Sequence, residues 1–326
     1  MGKSTRPSQR RYEQIEARQG TPKWLAEYQP AIYATREEAP SISRPCLIYS
    51  KKLGRDLHAL SSVETGFILL ALYHPNLVDM HEQKVLSPLP SQHPLQCHPM
   101  TSHMNFPALR GTVAIAASLG LLHLHPTIRV PNPDNKLTRM VVPFPWVGDI
   151  LLFLRGRNSL YCINWSIKLK SSQFDDPTTL GEHVRNYEAS AKKLWTRNEV
   201  EHIYYSDVSI PTHRLTKEHC SKDVISNLRQ IYGWHARYSP FDSQQTDCII
   251  DHFQAGLASG LSPLAVITWL IAKFRCGREH LATVFYQAVW SRKLRIDLHT
   301  ALTLDHPMFP EKSDILNDYA HWFEEA

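Results

Sequence analysis

The stretch GDILLFLRGRNSLYCINWSIKLK, residues 148–170, decides the fold class of this chain. Its apolar run at 150–154 precedes Arg-Gly-Arg-Asn, in which glycine and asparagine supply the unusual backbone angles of a tight turn. The run at 160–170 that follows is rich in β-branched and aromatic residues, which suit a strand. The pattern therefore predicts a β-hairpin within an otherwise buried sheet.

Charged residues stand at the open end of this hairpin. With the turn centred near 156–158, Asp149 lies across from about 164–166, and Lys168 lies one same-face step beyond. Charges at strand ends are usually solvated, so the pair alone is weak evidence for a site. If the sheet is buried, however, an acid and a lysine there need a partner or a function.

The composition is that of a globular protein. Of the 326 residues 43% are hydrophobic, yet no apolar run approaches the roughly eighteen residues of a membrane span. The first residues contain no apolar signal segment. The six cysteines are scattered and form no CxxC pair, so we expect a reduced, cytoplasmic protein with no membrane partner.

Positive charge is concentrated at the start of the chain. The net charge is +5, and residues 1–24 hold six basic side chains, Arg10 and Arg11 among them, against two acidic ones. Because no hydrophobic pattern is evident, residues 1–40 are predicted to be a basic arm and linker with a short helix at 12–18. Such an arm either holds a polyanion or is a solvated tail, and both interpretations stay open.

Residues 41–210 are predicted to form one α/β domain around the hairpin. Its other expected elements are strands at 47–49 and 56–60, an apolar helix at 63–73, a strand at 77–86, an amphipathic helix at 180–197 and a strand at 202–210. Prolines break every period between 87 and 147, which indicates an irregular insertion. Within it, 111–124 forms either a short helix or a pair of strands.

Histidines and a cysteine in the insertion raise the question of zinc. They are His93, Cys97, His98, His103, His123 and His125. Their spacing fits no usual zinc motif, and a structural site needs four ligands in closed geometry. Solvated loop histidines are therefore the preferred interpretation.

After a polar linker at 211–223, the residues to 326 are predicted to form a second, mostly α-helical domain. Helices are expected at 223–232, 263–274 and 279–290, and strict alternation at 294–298 indicates a strand. Helix, turn, helix and strand are the outline of a winged helix. Because the last of these helices carries little positive charge beyond its start, DNA binding and protein binding both stay open.

Three side chains of the α/β domain suit metal-dependent phosphodiester cleavage. Glu64 is the only charged residue of the apolar helix, and Asp149 and Lys168 belong to the hairpin. Carboxylates bind Mg²⁺ through oxygen, and a lysine beside them can orient the nucleophile or stabilise developing negative charge. Two acids and a lysine on a sheet are typical of restriction-endonuclease-like folds, although this bare pattern is common by chance. Glu64 could also be present only because the dipole of the helix stabilises an acidic side chain in its first turn.

Longer stretches resemble the TnsA family. LIYSKKLGRDLHALSSVETGFILLALYHPNLVDMHEQKVLSPLP, ending at residue 90, is similar to the N-terminal domain of that family. FPALRGT at 106–112 is similar to its approach to the aspartate, and KLWTRNEVEHIYYSDVSI at 193–210 to its segment after the lysine. The C-terminal helix–helix–strand outline also looks like its second domain. TnsA is the endonuclease subunit of transposases in which TnsB is the transposase and TnsC the ATPase.

The resemblance implies a restriction-endonuclease-like domain, a winged-helix-like C-terminal domain and cleavage of the 5′ strands at transposon ends by metal-activated water. Glu64, Asp149 and Lys168 become the implied catalytic residues. The implied Mg²⁺ ligands are Glu64 and Asp149, with Ser166 as a poor third one, and Mn²⁺ is expected to substitute.

The resemblance also implies partners. They are transposon-end DNA, a TnsB-type transposase and, through the C-terminal domain, a TnsC-type AAA+ ATPase, in the cytoplasm of a bacterium. The basic residues expected to contact DNA are Arg10, Arg11, Lys51, Lys52, Arg55 and Lys170.

Two departures from the family pattern leave alternatives open. Ser166 stands where Glu or Gln is usual, and a hydroxyl is a poor ligand for Mg²⁺. The insertion at 87–147 is also longer than the family pattern suggests. The chain could therefore be a catalytically impaired subunit that couples TnsB to TnsC, or a stand-alone nuclease of restriction or repair type. A register shift of two would exchange Lys168 for Lys170.

Overall fold

The chain is a mixed α/β protein in its computed structural model, which describes residues 7–41, 43–135, 137–177 and 185–325, with side chains from 190 onward in the last range. It divides into two compact units. The first consists of residues 1–65, 76–219 and 323–326, and the second of residues 66–75 and 220–322. Throughout the described ranges, every helix is too short or too polar to cross a membrane.

The first unit contains both strands and helices. Its strands are β1 (Cys46–Ser50), β2 (Arg55–Ala59), β3 (Leu77–Glu82), β4 (Val85–Leu86), β5 (Thr127–Pro131), β6 (Arg139–Pro143), β7 (Trp146–Val147), β8 (Ile150–Arg155), β9 (Leu160–Lys168) and β10 (Thr212–Thr216). Its helices are α1 (Gln9–Gln19), α3 (Thr112–Ser118) and α4 (Arg185–Ser206). A further helix, α2 (Ser62–Tyr73), begins in this unit and ends in the second.

The central sheet has the strand order β10-β9-β8-β3. Neighbours β3 and β8, and β8 and β9, are antiparallel, whereas β10 is parallel to β9. The predicted hairpin is thus confirmed as β8 and β9. Its register pairs Ile150 with Trp165, so the preceding residue, Asp149, lies at the end of the sheet where β9 carries Ser166 and Lys168.

The hairpin is buried because its strands are almost wholly apolar. Ile150 is 1% exposed, and residues 151–154 are fully buried. Helix α4 packs on the same core with Val200 and Tyr204. Each large apolar side chain buried in this way contributes roughly 1.5–3 kcal/mol. Polar groups that enter this interior therefore need partners.

Two predictions near residue 200 are wrong. Helix α4 continues to Ser206 where a strand was expected from 202, and β10 occupies part of the predicted linker. The aromatic and β-branched residues that suggest a strand instead pack from one face of the helix, at Val200, Tyr204 and Tyr205. Packing of that face overrides the local strand preference. Residues 180–184 of the predicted helix lie outside the described ranges.

The predicted basic arm contains a packed helix. Helix α1 begins after the capping residue Ser8, and its Ile15 is 1% exposed. Arg18 forms an ion pair with Glu38 at 2.6 Å. The expectation that this segment lacks a hydrophobic pattern is wrong, because a single turn of α1 presents Tyr12 and Ile15 to a small apolar cluster.

The predicted insertion contains regular elements. Strands β5 and β6 form an antiparallel pair, β7 pairs with β4, and α3 makes a helix of part of 111–124. The expectation of solvated histidines is wrong for His93, His98 and His125, which are buried. His93 stacks on a phenylalanine ring, and burial lowers its pKa to about 4.

The second unit is mainly helical. Its helices, besides the end of α2, are α5 (Lys222–Tyr232), α6 (Ser243–Ala258), α7 (Pro263–Phe274), α8 (Arg278–Trp290) and α9 (Ile315–Asp318). Helices α5, α7 and α8 confirm the predictions, whereas α6 was not predicted. The strand expected at 294–298 is wrong. Residues 294–298, all of which the structure describes, form a single isolated β-bridge, between Ile296 and Pro310. Their alternating apolar side chains are buried, but the backbone does not pair as a strand of a sheet.

Candidate active site

A buried ion pair lies at the open end of the hairpin. Asp149 Oδ2 accepts hydrogen bonds from the Lys168 ammonium and from the Ile167 backbone N–H, both at 2.7 Å. The side chains of Asp149 and Lys168 are 13% and 8% exposed. The β8–β9 register thus brings together the acid and the lysine that the sequence pattern singled out.

Lys168 is the lysine that reaches this position. Its ammonium also donates to Ser166 Oγ at 3.3 Å and to the Ile167 carbonyl at 3.1 Å. Ser166 and Lys168 lie on one face of β9 because side chains of a strand alternate. Lys170 lies beyond the end of the strand and is exposed.

Glu64 enters from the first turn of α2. Its backbone N–H donates to Ser61 Oγ, and its carboxylate accepts hydrogen bonds from the Leu60 N–H at 2.9 Å, the Ser61 hydroxyl at 3.0 Å and the Gln83 amide at 3.0 Å. The helix-capping role is therefore present. Burial and then the charge of Asp149 raise the pKa of Glu64 to about 7, which shows that the two carboxylates repel each other electrostatically.

Helix α4 contributes two charged residues that the sequence patterns did not predict. Arg197 Nη2 donates to Asp149 Oδ1 at 3.4 Å and to the backbone carbonyl of Val147. Glu201 is fully buried, and its carboxylate accepts hydrogen bonds from the Asn164 amide at 3.1 Å and the Ser166 hydroxyl at 3.2 Å. Residues four apart lie on one helix face, so treating 193–210 as a single helix would have placed Arg197 and Glu201 together.

Acidic groups outnumber basic groups in this site. We define the acid-rich cluster as Glu64, Asp149, Lys168, Arg197 and Glu201. Burial would raise the pKa of Asp149, but Lys168 and Arg197, with the hydrogen bonds, hold it below its ordinary value. Burial and then the charge of Asp149 raise the pKa of Glu201. Both other acids therefore lack full compensation.

The donor set of this cluster fits a hard divalent cation. Its acceptor atoms are carboxylate oxygens, the ligands that Mg²⁺ prefers. The carbonyl oxygen of the Asn164 side chain, which is 1% exposed, is buried without a hydrogen-bond partner beside them. In the described ranges, however, no three His, Cys, Asp or Glu side chains are already arranged to hold a metal ion. Asp149 and Glu64 are the residues that would hold Mg²⁺, with water supplying further ligands.

The basic residues expected to contact DNA fall into different environments. Arg10, Lys51, Lys52 and Lys170 are exposed, and Arg11 is half-buried. These placements are compatible with phosphate contacts, which remain a prediction.

Arg55 requires a correction. It is 8% exposed, and its guanidinium donates to both carboxylate oxygens of Glu82 at 2.7 and 2.8 Å. Strand β2 alternates buried and exposed residues, and Arg55 falls on its buried face. We therefore assign Arg55 to the fold and withdraw it as a DNA contact.

Comparisons with models of protein families and with curated proteins found no match to this chain. A function must therefore be argued from the acid-rich cluster and from the resemblance of its surrounding sequence.

Proposed function

We propose that this chain is a metal-dependent DNA endonuclease, the TnsA-type subunit of a heteromeric transposase, which cuts the 5′ strands at transposon ends. The observation that carries the proposal is the buried Asp149–Lys168 pair at the hairpin end, beside Glu64. The order helix, three antiparallel strands, helix, parallel strand, formed by α2, β3, β8, β9, α4 and β10, supports a restriction-endonuclease-like fold.

Each residue has a separate role in this proposal. Bound by Asp149 and Glu64, Mg²⁺ or Mn²⁺ would make a water molecule more acidic and neutralise charge on the phosphate. Lys168 and Arg197 keep Asp149 ionised near neutral pH, so that its carboxylate is available as a ligand. Lys168, held by Ser166 and a backbone carbonyl, donates to the nucleophile or to a phosphate oxygen where negative charge develops.

The second unit is proposed to bind the TnsC-type ATPase. Helices α7 and α8 support a winged-helix-like outline, although the missing strand at 294–298 leaves it without a β wing. Trp269 on α7 is 56% exposed, and the Lys273 ammonium lies 5.3 Å from its ring centre. An exposed aromatic residue flanked by a cation favours a protein contact over a phosphate contact.

Ser166 favours a second candidate function, a catalytically impaired subunit that couples TnsB to TnsC. A stand-alone nuclease of restriction or repair type would use the same cluster but would cut DNA without a transposase. The three functions predict different products from one DNA substrate.

An excision assay separates them. Transposon-end DNA, Mg²⁺ and a TnsB-type transposase are combined with the wild-type chain or with Asp149→Ala. We expect the variant to leave the 5′ strands uncut while 3′ cleavage continues. Unchanged 5′ cutting by the variant would exclude this site, and a wild-type chain that supports only 3′ cleavage would favour the coupling subunit. Cutting without the transposase would favour the stand-alone nuclease.

The two lysines provide a matched pair for the same assay. Lys168→Ala is expected to abolish 5′ cutting because it removes the ammonium bound to Asp149. Lys170→Ala, on the exposed continuation of the chain, is expected to retain it. Loss of cutting only in Lys170→Ala would show that the functional register differs by two residues.

A further inference from the structure

We propose that Glu201 supplies, from helix α4, the carboxylate that the metal site lacks at position 166. The inference rests on the proposed function, because it assigns a further ligand to the same site. Strand β9 offers only the Ser166 hydroxyl between Asp149 and Lys168, and that hydroxyl donates to Glu201 Oε2 at 3.2 Å. The helix thus brings a carboxylate to the place where the strand has none.

A chain of hydrogen bonds joins Glu201 to the lysine. The Lys168 ammonium donates to Ser166 Oγ at 3.3 Å, and Ser166 in turn donates to Glu201. Because serine is short, the helix carboxylate can approach this face of the strand. A longer acidic side chain at 166 would compete with Glu201 for the same space.

Gly148 makes room for the same carboxylate. A Cβ atom added at Gly148 would lie 3.0 Å from Glu201 Oε1, closer than ordinary contact. The backbone is held in place, since the Gly148 N–H donates to the Lys84 carbonyl at 2.7 Å. Glu201 is therefore packed against the peptide that immediately precedes Asp149.

A purely structural role accounts less well for Glu201. Its hydrogen-bond donors, the Asn164 amide and the Ser166 hydroxyl, are both neutral, and burying an ionised carboxylate with neutral donors is unfavourable. The neighbouring Asn164 Oδ1 is also buried and has no partner. A buried acceptor without a donor, beside a carboxylate whose hydrogen-bond donors are neutral, points to a cation or its bound water.

Manganese binding by the full chain, without DNA, tests the proposal. Isothermal titration with Mn²⁺ is carried out on the wild type, on Glu201→Gln, and on the double variant Ser166→Glu with Glu201→Ala, in which the alanine leaves room for the longer side chain at 166. We expect Glu201→Gln to weaken binding about tenfold or more, in the range for residues that support a metal site. The double variant should restore most of the affinity, because it returns the carboxylate to the strand.

A matched control removes a carboxylate from another face of the same helix. Glu199 pairs with Arg214 at 2.5 Å, so Glu199→Gln should leave Mn²⁺ affinity unchanged. Urea unfolding of each variant establishes that it is folded. If Ser166→Glu prevents folding, the shorter Ser166→Asp is combined with Glu201→Ala instead.

The outcomes separate this inference from the proposed function. Wild-type affinity in Glu201→Gln would overturn the inference alone, as would a folded double variant that remains as weak as the single one. Absence of Mn²⁺ binding by the wild type, or undiminished binding by Asp149→Ala, would overturn the proposed function and this inference together.

Discussion

Two of the buried groups of charged residues in the described part of the first unit differ in balance. Arg55 and Glu82 form a one-to-one pair with two hydrogen bonds, and their side chains are 6% and 0% exposed. The acid-rich cluster sets three carboxylates against two cations. Both groups are bordered by strands of the same unit, so their difference does not come from general burial.

The difference separates a structural pair from a functional candidate. A matched, bidentate pair satisfies itself and needs no ligand. A cluster with more carboxyl groups than cations leaves some of these groups without a charge partner, and perturbed carboxylates of this kind are common in functional sites. The two groups should therefore respond in opposite ways to substitution and to divalent cations.

The largest effect on stability is expected in the balanced pair. Arg55→Leu leaves the Glu82 carboxylate buried without its partner, which should lower the free energy of unfolding by about 3–5 kcal/mol. Urea denaturation measures the loss. The double variant Arg55→Leu with Glu82→Leu should regain most of it, and a single variant of wild-type stability would contradict the structural role of the pair.

The acid-rich cluster should lose stability as pH rises. The pKa of Glu64 in the folded chain is about 7, above its ordinary value of 4.5. Between pH 4.5 and pH 7 the folded chain therefore binds a proton at Glu64 that the unfolded chain has lost. Ionisation of Glu64 therefore opposes folding. The contribution of Glu64 to the free energy of unfolding should fall by at most about 3 kcal/mol between pH 4.5 and pH 7.

Urea unfolding in EDTA at pH 5 and pH 8 measures this dependence. Relative to the wild type, Glu64→Gln should be more stable at pH 8 than at pH 5, because the variant no longer ionises at this position. An identical pH dependence in the wild type and in Glu64→Gln would show that Glu64 titrates normally.

Divalent cations should stabilise only the chain with an intact acid-rich cluster. A ligand at a hundred times its Kd raises the free energy of unfolding by about 2.7 kcal/mol, which corresponds to a few degrees in Tm. Mn²⁺ should therefore raise the Tm of the wild type and of Arg55→Leu, but not that of Asp149→Asn. An equal rise in all three would indicate binding elsewhere.

The smallest effect concerns exposed basic residues. Lys51→Ala should weaken DNA binding less than about tenfold. It should also reduce the slope of the logarithm of the binding constant against the logarithm of the salt concentration by about one, as expected for one lost phosphate contact. Binding titrations at several salt concentrations measure this slope. Lys312→Ala, an exposed lysine of the second unit, serves as the control and should leave the slope unchanged.

The sequence predicts best those elements that are determined by local patterns. The hairpin follows from an apolar run, a glycine-asparagine turn and a β-rich run, and its register follows from the position of the turn. Helices α2 and α7 are similarly marked by their many apolar residues and by the serine caps before them. These patterns suffice to bring Asp149 and Lys168 together.

Features that depend on packing were missed. The stretch 202–210 has the composition of a strand, but its tyrosines pack from one face of helix α4. Because a strand is predicted there, the sequence does not indicate that Glu201 lies on the same helix as Arg197. Arg55, at the end of a basic turn, is expected to contact DNA, although the alternation of β2 points it inward. Helix α6 was overlooked despite a local signal, since Asp242 and Gln245 form a capping box at its start.

The close approach of Gly148 to Glu201 has an evolutionary consequence. In this chain, positions 148, 166 and 201 together hold a glycine, a short hydroxyl residue and an acid. In relatives that carry an acid at 166, selection on the other two positions should relax, so that 148 can gain a side chain and 201 can become apolar. These three positions should therefore covary, and this coupled substitution would trace the site through lineages whose remaining sequence has diverged.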